Sequence, residues 1–163
     1  MFILKWFFLI FLTFLIQTQI NPFGRPLNIS VVLVYFFILR TNIQQARTRV
    51  FSIVPEAKGV LFGACVGFLE DVISGSIIGP ALFSKGLIGI ITTIIFSDVI
   101  FKWTYLSGII VLIIMTVMDG ILVFWIRTLF ENLYINKEGF AINIIFQAII
   151  NIPFGIIIRP KNL

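Results

Sequence analysis

The sequence predicts an all-α membrane protein, with six transmembrane helices in one bundle. Three observations predict it. Hydrophobic residues make up 60% of the 163 and charged ones only 12%, where a soluble domain is about half apolar and roughly a quarter charged. Mean hydropathy is +1.12. Apolar runs recur along the chain, and the basic residues gather in alternate connections between them, as they do when cytoplasmic loops carry the excess of Lys and Arg. The length suits a single membrane domain over residues 1–163, with no room for a sizeable soluble one.

The elements follow in order. A spanning helix needs about 20 mostly apolar residues. The first runs from Trp6 to Ile20, and Gln17-Thr18-Gln19-Ile20-Asn21 offers no small-x-small cleavage site, so an uncleaved signal anchor is expected. The turn-rich Asn21-Pro22-Phe23-Gly24-Arg25-Pro26 leads into a short second helix, about Leu27 to Leu39, expected to extend past Arg40 through Gln45. The third covers Gly59 to about Ile73, the fourth Pro80 to Phe101, the fifth Tyr105 to Ile126 and the sixth Phe140 to Ile158. With the N-terminus inside, Lys5, Arg40, Arg47, Arg49, Lys58, Lys102, Arg159 and Lys161 are cytoplasmic. Arg25, Arg127 and Lys137 lie outside, and Lys85 lies within a helix. Six spans then put both termini in the cytoplasm.

Composition excludes several chemistries. There is no histidine, hence no His triad or His zinc site, and the lone Cys65 has no disulfide or metal partner and reads as a small packing residue. The net charge of +5 belongs to the topology signal rather than to nucleic acid. No phosphate-binding glycine loop, nucleophile elbow or metal motif occurs, so neither an enzyme nor a cofactor is expected.

The informative residues are those that break the apolar rule. Gly59, Gly63 and Gly67 repeat every four positions and the spacing continues to Asp71 and Gly75, so one helix face carries a groove of small residues leading to an acid. Such faces let another helix backbone approach closely. Asp71 lies about 18 Å along the helix from Gly59, which places it in the outer half of a core about 30 Å thick. Glu70 stands beside it, and Ser74, Gly75 and Ser76 follow. Gly79-Pro80 then reads as a helix start, with free amides and a partial positive charge. The stretch therefore predicts helix, buried turn and new helix, with the acids held by the turn's amides and hydroxyls. Lys85 either pairs with Glu70 or Asp71 or snorkels to the interface. Asp119 is a third intramembrane acid. Asn143, Gln147 and Asn151 form a stripe of spacing four on the sixth helix, expected to hydrogen-bond to neighbouring helices with Asp119 as one recipient; a proton or ion path is the sharper alternative. Asp98 and Lys102 read as a local ion pair.

Residues 59 to 92 resemble the signature of the rod shape-determining MreD family. Its glycine-rich helix, aspartate, Ser/Gly turn and helix-opening glycine match Gly63, Gly67, Asp71, Ser74, Gly75, Ser76 and Gly79. The resemblance implies a multi-pass, non-enzymatic component of the bacterial inner membrane. It would bind MreC directly and work with MreB, RodA and the elongation penicillin-binding protein in lateral peptidoglycan synthesis and cell shape. The family's fold is similar to the six-helix substrate-binding subunits of energy-coupling factor vitamin transporters. That sets up the rival function, in which Glu70, Asp71, Lys85 and Asp119 would line a ligand pocket.

Overall fold

The computed structural model describes residues 2–20, 27–48, 54–75, 77–96, 104–131 and 137–158. Among these the chain is all-helical: α1 Phe2–Gln19, α2 Ile29–Thr48, α3 Val54–Ser74, α4 Pro80–Ile94, α5 Tyr105–Glu131 and α6 Lys137–Ile157. The helices fall where the apolar runs predict them, but several are longer. α2 runs to Thr48, past the expected extension, and α3 begins at Val54 because Pro55 fits the first turn of a helix, where its missing N–H costs nothing. α5 continues to Glu131, making 27 residues or about 40 Å. Two stretches, Tyr105–Phe130 and Gly139–Ile157, are long and apolar enough to cross a membrane; Leu4–Gln19, Ile29–Thr41 and Pro80–Ile94 are shorter apolar helices. The expected end of the fourth helix at Phe101 and the Asp98–Lys102 pair lie outside the described residues, as do Ser76 and the basic residues Arg25, Arg49, Lys102, Arg159 and Lys161.

α2 is the central helix and touches the other five. Its Val31, Val34, Tyr35 and Ile38 are fully buried, a helical spacing that faces the middle of the bundle. At one end Trp6 of α1 packs edge-on against Phe37, 4.8 Å between ring centroids, and against Phe62 of α3 at 5.3 Å. Phe37 and Phe62 stack at 3.9 Å. The outward faces are apolar too: Phe7, Phe8 and Phe11 on α1, Leu106, Trp125 and Leu129 on α5, and Ile145 and Ile149 on α6 are exposed. Cys65 is exposed as well, not the packing residue expected, because it lies off the glycine face of α3.

The closest crossing joins α3 and α4. A β-carbon added at Gly63 would fall on the carbonyl oxygen of Lys85, one at Gly67 on that of Ala81, and one at Gly59 within 2.8 Å of that of Gly89. The two backbones are thus in direct contact along the whole glycine face, an approach open only to residues without a side chain. α5 and α6 are joined in the same way but more loosely, with Gly120 under Ile144 and Gly155 under Ile109. Substitution separates the two kinds of glycine. Gly67→Ala is expected to lower stability by about 1–3 kcal/mol, as overpacking does, whereas Gly86→Ala is neutral because its nearest neighbour would be Ala64 Cβ at 3.7 Å. Thermal unfolding of both variants in detergent checks this.

Candidate functional site

The buried charged residues fall into two groups, both built on the α3–α4 crossing. The first is Asp71, 0% exposed. Its carboxylate accepts three backbone hydrogen bonds from the start of α4: Gly79 N–H to Oδ2 at 2.9 Å, Leu82 N–H to Oδ2 at 3.1 Å and Ala81 N–H to Oδ1 at 3.1 Å. A helix leaves its first amides without partners inside the helix. Here Pro80, at the first helical position, has no N–H to satisfy. Asp71 takes the amides on either side of it, and the next, Phe83 N–H, bonds Gly79 C=O at 2.8 Å. One side chain on α3 therefore completes the N-terminus of α4, and its charge complements the positive end of the helix dipole.

The glycines of the turn make this geometry possible. Gly75 ends α3 with φ +62° and Gly79 precedes α4 with φ +139°, both left-handed conformations that disfavour a side chain. Ser74 differs from expectation. Its hydroxyl donates to the backbone carbonyl of Asp71 at 3.1 Å, closing the last turn of its own helix, and does not hold the acids.

The second group centres on Lys85, also 0% exposed. Its ammonium lies 2.9 Å from Glu70 Oε2 and 3.2 Å from Asp119 Oδ2. Of the two partners expected for Lys85, Glu70 is therefore the one used. Asp71 is spent on the α4 amides, and Lys85 is too deeply buried to snorkel. Asp119, 2% exposed, further accepts from Asn28 Nδ2 and Ser84 Oγ, each at 2.6 Å. Ser30 Oγ lies 2.6 Å from Glu70 Oε2 and 3.0 Å from Asn28 Oδ1, so its single proton serves the closer, charged acceptor.

The α6 stripe enters at one point. Asn151 Nδ2 donates to Thr116 Oγ1 at 2.9 Å and to Asn28 C=O at 3.3 Å. Asn143 and Gln147 are half-buried, and the donors to Asp119 come from Asn28, Ser84 and Lys85 in place of the expected stripe. The network ties together α3, α4, α5, α6 and the start of α2. Asn28, Ser30, Ser84 and Thr116 were not singled out in the sequence. Their signal was weak: Asn28 adjoins a turn-rich connection, Ser84 adjoins Lys85, and Thr116 precedes Asp119 by one helical turn.

Chemically the arrangement is a set of ion pairs and hydrogen bonds centred on Lys85, with Asn151 Oδ1 at its edge buried and without a hydrogen-bond partner. The ammonium has a carboxylate on two sides, and each carboxylate has a second donor. Among the described residues, no group of three or more His, Cys, Asp or Glu is placed to hold a metal ion. Comparison with known protein families, with characterised proteins and with solved structures finds no match.

A buried ion pair broken on one side costs about 3–5 kcal/mol, because it leaves a charge uncompensated. Lys85→Met is expected to destabilise the protein by that order, since Glu70 and Asp119 would face each other without a cation. The triple variant Lys85→Met, Glu70→Gln, Asp119→Asn is expected to recover most of the loss. Apparent melting temperatures of the two variants in detergent measure the difference.

Proposed function

We propose that the chain is a multi-pass membrane scaffold of the bacterial cell-elongation machinery, similar to the MreD proteins. All six helices lie in the inner membrane, with both termini cytoplasmic. The protein catalyses no reaction. It receives the transmembrane helix of MreC and, with MreB, RodA and the elongation penicillin-binding protein, organises lateral peptidoglycan synthesis.

The observation that carries this reading is the convergence of the signature residues. Gly63, Gly67, Asp71, Gly75 and Gly79, scattered over 17 positions, build one structural unit in which glycines bring α3 onto α4 and Asp71 caps α4. A motif of this kind serves architecture, which suits a partner protein. The exposed apolar faces of α1, α5 and α6 support a lipid setting. The shorter helices fit it as well, because Glu70 of α3 and Lys85 of α4 are paired inside the bundle.

The vitamin-transporter alternative finds less support. A ligand site needs several convergent polar groups free to bind, whereas Glu70, Asp71, Lys85 and Asp119 are engaged with one another or with backbone. Two surface grooves, one beside α1 and one beside the start of α4, are lined almost wholly by apolar side chains.

Affinity purification of the tagged chain from native membranes in mild detergent tests the proposal. MreC and wall-synthesis proteins are expected among the co-purified proteins, and Asp71→Ala is expected to lower the amount of folded protein and round the cells. Recovery of an ATPase and a coupling subunit in their place, or normal abundance and shape in Asp71→Ala, would overturn it.

A further inference from the structure

One of these apolar grooves lies beside α1. α1 packs on α2 and leaves an open slot against α3, about 330 Å³ in volume, lined by Phe7, Phe11 and Leu15 on one side and by Leu69 and Ile73 on the other. It reaches along α1 from Phe7 to Thr18, about 16 Å at the helical rise. Apart from Thr18 its lining is apolar, which suits a hydrocarbon chain.

A cationic rim lies at the Phe7 end of the slot. Lys5, Arg40 and Lys58 are all exposed. Lys5 adjoins Trp6, Arg40 follows Phe37 by three residues and Lys58 precedes Phe62 by four, and these three aromatic rings pack together. Each cation thus lies within about one helical turn, along its own helix, of a single aromatic cluster. The carboxylates of Glu70, Asp71 and Asp119 are engaged elsewhere, with Lys85 and the first amides of α4. Three positive charges beside the mouth of an apolar slot complement a molecule with a negative head and a hydrocarbon tail.

We propose that this is a binding site for an anionic phospholipid of the cytoplasmic leaflet, with one acyl chain between α1 and α3 and the phosphate on Lys5, Arg40 and Lys58. The site rests on the membrane reading above, with the N-terminus at the cytoplasmic face. Juxtamembrane basic residues attract anionic headgroups, and the tail adds the burial of its methylenes.

The test is native mass spectrometry of the purified chain after incubation with phosphatidylglycerol or phosphatidylcholine of identical acyl chains. The protein is expected to retain phosphatidylglycerol in preference. Lys5→Gln, Arg40→Gln and Lys58→Gln, all surface changes, should each reduce retention about fivefold and together abolish the preference. Ile73→Trp, at a half-exposed position, should fill the slot and lower retention of both lipids. Equal retention of the two lipids by the parent would overturn the proposal, as would unchanged retention in the triple variant or in Ile73→Trp. Failure of the scaffold reading would appear as loss of MreC from pull-downs and would leave lipid retention by the isolated chain unaltered.

Discussion

A helix that begins inside an apolar bundle must find partners for its first amides without water. An unmet buried donor costs about 1–3 kcal/mol, so α4 could not start where it does unless something met that demand. Asp71 meets it from another helix. The bond does more than cap: it fixes the height of α4 relative to α3, and so decides which residues face each other below. Gly63 comes to lie on the carbonyl of Lys85, and Gly59 close to that of Gly89. Any shift along the axis would bring side chains into a contact that has room only for backbone.

The same register places Lys85 between Glu70 and Asp119. A lysine with no exposed surface is tolerable only with its charge balanced on the spot. It binds α4 to α3 through Glu70 and to α5 through Asp119. Asn28 and Asn151 extend the bonding to the start of α2 and to α6. In the lipid setting proposed above, where apolar contact does not distinguish a neighbouring helix from an acyl chain, these polar contacts and the glycine faces carry much of the specificity of assembly.

Part of this architecture was legible in the sequence, for definite reasons. The four-residue spacing of Gly59, Gly63, Gly67 and Asp71 marks one helix face, and Gly79-Pro80 marks a helix start. Together they identify an acid near free amides. The pairing of Lys85 with Asp119 was not legible, because α5 is apolar on all sides and gives no periodicity to orient it. The split between Glu70 and Asp71 was also hidden. Adjacent helical residues point about 100° apart, and only the crossing angle decides which one meets the α4 terminus. Helix ends were misread where polar residues continue a helix beyond its apolar part, as in α2 after Gln45 and in α6 before Phe140. Apolarity marks where a helix meets lipid or core, not where its hydrogen bonds stop.

The central claim is that the Asp71 carboxylate holds the first amides of α4. Residue-resolved hydrogen exchange in detergent micelles or nanodiscs tests it most directly, read at the amides of Gly79, Ala81 and Leu82. All three should exchange as slowly as amides in the middle of α4, and become fast in Asp71→Asn. Fast exchange at these amides in the parent protein, or no change in the variant, would contradict the account.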